Sequence, residues 1–441
     1  MVKRMIIFKR PNLSKILIVF CLSQLLFGEA AKAEILSWQK CVDLAAQQNA
    51  DIRSSEQTVR SDRFLERGSY SGFFPQLTGS IAGSRVSSQG TVVSPVGNES
   101  ISVTQDTEQY TASLSASQNL FTGFGDVARV QQAKANTRVA NATLQISKAQ
   151  ISYDLKSAYQ GYLYAVESIE LAHEIVKRRK DNMNMVELRF DGGRENKGSV
   201  LLSRAYYNDA QFNLLQAQHA LQVERAQLGR VLGLDEYEQL EVKEPIPTSE
   251  PSAMEPDYKA VATSVPGHVQ AVAQVDVARS QLKVTKSSFF PSLDLTASGS
   301  RVDNHFFPRN NNWSIGLTLT LPFFTGGSTY YSARSNSALL YSSALAQASV
   351  DQKLLASLRQ AYTSFVEGVE KLKVDESYRE AAVVRAEISR SEYNNGLITF
   401  DDWDIIENDL IAREKTYVQS RRDRVIAEAS WEQAQGKGVL P

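Results

Sequence analysis

The chain repeats itself, and the repeat limits what it can fold into. Phe73-Phe74-Pro75-Gln76-Leu77, followed by Gly83-Ser84-Arg85, returns 216 positions later as Phe289-Phe290-Pro291-Ser292-Leu293, followed by Gly299-Ser300-Arg301. Phe121-Thr122-Gly123 returns as Phe324-Thr325-Gly326, and Phe190-Asp191-Gly192-Gly193 is echoed by Tyr393-Asn394-Asn395-Gly396, both at an offset of 203. The first copy therefore holds 13 more residues than the second between its motif blocks. A self-similarity of this kind is the mark of a duplicated structural unit. It divides the chain into a first repeat over 34–233, a linker over 234–256 and a second repeat over 257–435, with a short tail at 436–441. Pro245, Pro247, Pro251 and Pro256 interrupt any helix in the linker.

Residues 1–33 read as a secretory signal. Lys3, Arg4, Lys9, Arg10 and Lys15 precede an apolar stretch from Ile16 to Phe27, and Ala31-Lys32-Ala33 offers small residues for cleavage. Without that segment the chain carries 42 basic and 48 acidic residues, a net charge of -6. A mildly acidic chain lacks the basic face that nucleic acid requires. Cys41 would be the one cysteine left, so no intrachain disulfide is expected despite an oxidising compartment.

Within each repeat, two kinds of segment alternate. Leu77, Gly79 and Ile81 alternate with Thr78 and Ser80; Tyr110, Ala112, Leu114 and Ala116 with Thr111, Ser113 and Ser115. In the second repeat Leu293, Leu295 and Ala297 alternate with Asp294, Thr296 and Ser298, and Trp313, Ile315, Leu317 and Leu319 with Ser314, Gly316 and Thr318. This period of two predicts four strands, over about 73–85, 109–121, 289–301 and 313–324. Long helices are expected over about 126–188, 199–233, 328–391 and 402–435. Ile151, Leu155, Ala158, Tyr162, Ala165, Ile169, Ala172 and Val176 follow four-three spacing, as do Leu354, Leu358, Ala361, Phe365, Gly368 and Leu372, which is the seam of a coiled coil. Some 60 helical residues make a rod of roughly 90 Å.

Strands of about ten residues, apolar on one face and small-polar on the other, fit the wall of a transmembrane β-barrel better than a soluble sandwich. Phe73, Phe74, Phe121, Phe289, Phe290, Phe323 and Phe324 at one end, and Phe306, Phe307 and Trp313 at the other, are placed as two interfacial girdles. Four strands cannot close a barrel, because the smallest close with about eight. An edge left open in lipid would strand its backbone hydrogen-bonding groups. The barrel must be shared between copies of the chain; three copies would give 12 strands, although the residues themselves require only more than one. The segments 86–109 and 302–312 join strands at the ends away from the helices, and are expected as polar loops at the cell exterior, with an insertion near Gly97 reachable from outside.

The layout resembles the TolC-like outer-membrane factors of efflux pumps and type I secretion systems. The carriers are the Phe-Phe-Pro-x-Leu strand starts, the strand ends Leu120-Phe121-Thr122-Gly123 and Phe323-Phe324-Thr325-Gly326, and the tip Tyr393-Asn394-Asn395-Gly396, in the duplicated order strand, strand, long helix, tip, long helix. The resemblance covers nearly the whole chain from Leu36-Ser37-Trp38 to near Gln435. It implies a mixed α/β membrane protein: a homotrimer with a trans-subunit 12-stranded barrel in the outer membrane and antiparallel coiled-coil helices forming a tunnel across the periplasm. The expected partners are a periplasmic adaptor, an inner-membrane transporter and outer-membrane lipid. The tip turns at Gly192, Gly193, Asn395 and Gly396 are where an adaptor would dock.

Asp401, Asp402, Asp404 and Glu407 crowd the start of the last helix. Acids in a first turn compensate the helix dipole; brought together around a symmetry axis, they would also form a cation-favouring constriction. In the resembling family an aspartate matching Asp402 lines the periplasmic entrance. The equivalent first-repeat position is Ser199, preceded by Gly198 where Thr-Asp is common, so the acidity belongs to one tip. Gly123-Phe124-Gly125-Asp126 mimics a dinucleotide fingerprint, but the preceding strand is half polar and the repeat loses the spacing, so a strand-to-helix turn is the better reading. His173, His219, His268 and His305 have no metal spacing. No cofactor, metal or catalytic residue is expected. The expected function is a passive exit duct for small molecules or polypeptides; the alternative is a trimeric coiled-coil surface or adhesive protein with a barrel anchor, which leaves the duplication and the returning helices unexplained.

Overall fold

The computed structural model describes residues 35–93, 100–235, 240–306 and 308–440. The expected signal segment, the insertion point near Gly97 and Phe307 lie outside them. The chain divides into two compact units, one comprising residues up to Leu44 with Ala158–Pro247, the other Ala45–Ser157 with Thr248–Pro441.

In the first unit, β1 (Ile35–Leu36) pairs in parallel with β4 (Glu241–Val242). The helix α1 begins at Trp38 and runs to Gln48, and the long helix α3 (Gly125–Asp191) enters this unit at Ala158 and is followed by α4 (Lys197–Leu232). Tyr159, Tyr162, Ala165, Val186, Leu228, Val231 and Leu232 are buried here. The linker is tied down by α3: the hydroxyl of Tyr159 donates to the Glu244 carbonyl at 2.8 Å, and the Trp38 ring meets the Tyr159 ring edge-on at 5.0 Å. Arg204 on α4 pairs with Glu187 on α3 at 2.7 Å.

Cys41 is buried in this unit. Burial, reinforced by the Glu244 carboxylate and opposed by Lys40, pushes its thiol up to about 12. A thiol raised in the folded state stabilises the fold fully below its unfolded value near 9, and that contribution is lost as the pH climbs toward 12. Iodoacetamide at pH 8 is therefore expected to leave Cys41 unmodified in the folded protein and to label it completely in denaturant, as read by intact mass.

The second unit holds α2 (Ala50–Gly68), the first part of α3, and a four-stranded antiparallel sheet in the order β2 (Gln76–Val93), β3 (Ser100–Thr122), β5 (Ser292–Asp303), β6 (Asn310–Thr320). It is completed by α5 (Tyr258–Ser264), α6 (Pro266–Ser287), α7 (Ser328–Asn394) and α8 (Phe400–Ala434). The 67 residues of α7 make a helix of about 100 Å. The later part of the linker lies on α8, where Glu428 accepts from the backbone N–H and hydroxyl of Ser249 and Arg424 reaches the Ser249 carbonyl at 3.0 Å. Lys156 on α3, itself buried, meets Glu432 of α8 at 2.7 Å.

Three expectations are corrected. The Phe-Phe-Pro motifs precede their strands: Phe73 closes a 3-10 turn over Ser69–Phe73, and Phe289 and Phe290 follow α6. A proline cannot donate to a ladder, so pairing begins beyond it, at Gln76 and Ser292. Residues 86–93 and 100–109, expected as loop, are strand, because the β2–β3 ladder that begins at Gln76↔Ser117 runs on unbroken to Val93↔Ser100. Likewise Val302, Asp303 and 310–312 belong to β5 and β6. Finally, the coiled-coil seam drifts. Ile151 through Ala165, and Ala172, are buried as spaced, but on α3 Ile175 is buried while Ile169 and Val176 are half-covered; on α7 Leu358, Ala361 and Phe365 are buried as spaced, joined by Tyr362 and Val369 one position on. A straight helix with 3.6 residues per turn slips off a 3.5-residue pattern in this way.

Candidate functional site: the sheet faces and the helix tips

The ladder fixes which side chains share a face. Thr296 lies opposite Gly316, Leu295 opposite Leu317, Ala297 opposite Ile315 and Gly299 opposite Trp313, while β3 sets Leu114 against Gly79 on one side and Gly299 on the other. One face therefore carries Leu77, Ile81, Leu114, Leu295, Trp313, Ile315, Leu317 and Leu319, all exposed. The opposite face is lined by hydroxyls that pair across strands, Ser80 with Ser113 at 2.7 Å and Ser298 with Ser314 at 2.9 Å. Leaving this many large aliphatic side chains on one face makes sense only where water is absent. Among the described residues both outer strands, β2 and β6, have a free edge.

Phe73, Phe74, Phe289, Phe290, Phe323 and Phe324 are exposed, and Phe121 is half-covered by Phe124, whose ring lies edge-on at 5.3 Å. Leu120 bulges out of the β3–β5 ladder just before the chain leaves the sheet. Gly123 then turns at φ 59°, where a Cβ would lie 2.6 Å from both Phe290 Cβ and the Ser287 carbonyl oxygen. This is a strand-to-helix corner on an antiparallel strand; a dinucleotide site would need a parallel one.

Each tip is built on its own element pair, Gly192 and Gly193 in the first unit, Asn395 and Gly396 in the second. Gly193 adopts φ 69°; its N–H bonds the Phe190 carbonyl and the Arg194 N–H bonds that of Arg189, both at 2.8 Å. Gly396 adopts φ 75°, with its N–H on Tyr393 at 3.0 Å and the Leu397 N–H on Glu392 at 2.9 Å. These are two Schellman caps, and only a glycine takes the left-handed position without strain. The following helices start alike. Asn196 accepts from the Ser199 N–H at 3.0 Å, and Thr399 accepts from the Asp402 N–H at 3.2 Å. The caps thus repeat at the same offset of 203 as the sequence echo.

The four acids do not gather at one point. Asp402 is exposed; its carboxylate accepts from the Thr399 hydroxyl at 2.6 Å while that hydroxyl caps the Asp402 N–H. Asp401 is exposed, Asp404 accepts from Asn408 at 3.0 Å, and Glu407 is buried. Beneath the turn lies an aromatic plug that sequence inspection passed over. The rings of Tyr393 and Trp403 stack at 4.5 Å and 5°, and Phe400 packs edge-on to both. The Thr399-x-x-Asp402 spacing was the available signal for this start; the stacking needed the fold. Farther from the tip, Asp375 on α7 bonds Ser420 on α8 and Lys371. Burial works to raise its carboxyl, but the hydrogen bonds from Lys371 and Ser420 together hold it below its usual value.

A lipid-facing, hydroxyl-backed sheet that cannot close by itself, joined to long helical hairpins, defines a protomer of an outer-membrane channel. The chain belongs to the outer membrane efflux protein family, whose sequence profile matches residues 41–234 and 268–437. Among curated relatives it is 24% identical to the outer membrane efflux protein BepC of Brucella suis over 422 residues, 93% of this chain and 87% of that one. It is 24% identical to the alkaline protease secretion protein AprF of Pseudomonas aeruginosa over 52% of this chain, and 26% identical to the fusaric acid resistance protein FusA of Burkholderia cepacia over 63%. The matches span about half the length of these last two relatives, 49% and 53%. The fold is that of the outer membrane protein VceC of Vibrio cholerae, with a TM-score of 0.77, 19% identity and coverage of 91% and 96% of the two chains. The outer-membrane channel OprN gives 0.78, 17%, and coverage of 91% and 90%. The family places the chain in the outer membrane, and its members are transport ducts.

Proposed function

We propose that three copies of this chain form the outer-membrane exit duct of a tripartite efflux pump or type I secretion system. The carrying observation is the four-stranded sheet with two free edges, apolar on one face and hydroxyl-lined on the other. β6 runs opposite to β2, so β6 of one copy meets β2 of the next as an ordinary antiparallel pair, and three copies close a 12-stranded barrel with the hydroxyls inward. The helical hairpins continue the path into the periplasm, where an adaptor docks at the tips and an inner-membrane transporter supplies the driving force. The duct performs no catalysis, and its cargo is selected by the inner-membrane partner. An adhesive stalk is disfavoured because α7 reverses at Gly396 and returns as α8. Membrane fractionation followed by gel electrophoresis with and without heating tests this: an SDS-resistant trimer in the outer-membrane fraction supports it, and a monomer in the soluble fraction rejects it.

Within that duct, Asp401 and Asp402 are proposed as the cation-favouring constriction at the periplasmic end, since both are exposed beside the turn and recur around the axis. Asp402→Asn keeps an oxygen for Thr399 while removing the charge. The Asp401→Asn/Asp402→Asn variant is expected to lose most of its block by multivalent cations in bilayer recordings while assembling normally, whereas Asp62→Asn on α2 should behave as wild type. Equal block in all three would leave these acids with the capping role alone.

A further inference from the structure

The two hairpins of the sheet are unequal in a way the barrel does not require. β3 loses its β5 partner after Tyr110↔Asp303, and β5–β6 pairing stops at Val302↔Asn310. β2 and β3 nevertheless continue through ten further pairs, from Ser84↔Gln109 to Val93↔Ser100. At about 3.4 Å per residue this is a two-stranded ribbon roughly 34 Å long. It stands outside the lipid: along the outward face Leu77 and Ile81 give way to Arg85, which pairs with Asp106 at 3.2 Å and Glu108 at 3.4 Å. The opposite end of the sheet feeds the helices, so the ribbon projects from the exterior mouth.

Isolated two-stranded ribbons are marginal in water, and a bare edge invites pairing. Proteins that keep such an edge bare guard it with Lys, Pro or inward charges. This ribbon reads Val-Ser-Ser-Gln-Gly-Thr-Val-Val over 86–93 and Ile-Ser-Val-Thr-Gln over 101–105, with no lysine or proline. The charges of these paired stretches, Arg85, Asp106 and Glu108, sit at the base, where Arg85 pairs with both acids and one negative charge is left over.

We propose that these edges are covered by further copies of the same chain: the three ribbons of the trimer pair edge to edge into a six-stranded collar that narrows the exterior mouth. The inference rests on the trimeric barrel. Between β3 of one copy and β2 of the next lie two strands, β5 and β6, and both end below the ribbon. Removing an even number of strands leaves β3 and the neighbouring β2 running in opposite directions, so they meet as an antiparallel pair; an odd number would have made them parallel. With strands about 4.8 Å apart and tilted about 40°, twelve strands lie near 12 Å from the axis and six near 6 Å. The ribbons need to shift inward by about 6 Å over an axial rise of about 26 Å, a lean of roughly 13°. Gly83 and Gly90 in β2 suit such a bend.

The test uses a Cys41→Ala background in which Gln89→Cys and Thr104→Cys chains are co-expressed. Each chain then holds one thiol beyond the signal segment, so any link joins two copies. The collar predicts oxidative cross-linking in mixed trimers and none when either variant is expressed alone; a Gln89→Cys and Asp106→Cys mixture covers the neighbouring register. A second variant replaces residues 86–107 by Asn-Gly, and its single-channel conductance should rise about twofold or more as the narrower ring is removed. SDS-resistant trimers that show neither cross-link, with conductance unchanged by the shortening, would overturn the collar and leave the duct standing. Absence of trimers in every variant would overturn both.

Discussion

Leu317→Arg is expected to remove the SDS-resistant trimer from the outer membrane, whereas Thr318→Arg, one residue along the same strand, should assemble. Leu317 lies in the middle of the apolar face, opposite Leu295, and is exposed in the single chain. An arginine near the bilayer midplane costs about 2–4 kcal/mol per barrel protein, and the trimer carries it three times. Thr318 is opposite Asp294 on the other face, where an arginine stays in water and shifts the pore toward anions. The yield of heat-modifiable trimer, with the reversal potential in a salt gradient for the Thr318 variant, checks both halves. Equal tolerance of arginine at the two positions would mean that the face does not meet lipid.

The second large effect is at the tip. Trp403→Ala removes the ring stacked on Tyr393 and leaves a void beneath the α7–α8 turn, and large-to-small changes at aromatic core sites cost about 3–5 kcal/mol. Protease cleavage near Gly396 should accelerate by at least about tenfold while the trimer persists, because the barrel is untouched. Trp403→Phe should be far milder. It keeps the aromatic contact and removes an indole Nε1 that is buried without a hydrogen-bond partner, a group whose desolvation is uncompensated. A phenylalanine variant as labile as the alanine one would assign that nitrogen a role in assembly.

The duplication, the strand faces and the two tip glycines were legible because each rests on a local rule that leaves a periodic trace. Alternation of Ile315, Leu317 and Leu319 with Gly316, Thr318 and Thr320 fixes the faces without knowledge of any partner strand, and the left-handed glycine at Gly193 and Gly396 is the natural way to end those helices with this cap. The length of the first hairpin was not legible. Residues 86–93 and 100–109 have the composition of an exposed loop and the pairing of a ribbon, and polar Ser, Thr and Gln serve either state. The aromatic plug was hidden because Phe400 and Trp403 have no aromatic counterpart in the first repeat, where Lys197 and Val200 stand; they meet Tyr393 only once the Schellman turn folds α8 back on α7. The same holds for Glu407, which reads as one more acid of an exposed cluster and is buried. Burial there is set by the neighbouring helix rather than by the residue's own segment.

Single-channel recording of the purified, SDS-resistant oligomer in a planar bilayer is the most direct measurement. A shared barrel predicts discrete, uniform conductance steps, one per inserted trimer, that are lost when the oligomer is dissociated by heat. Insertion of folded trimers without any conductance would contradict an exit duct and favour a closed structural stalk.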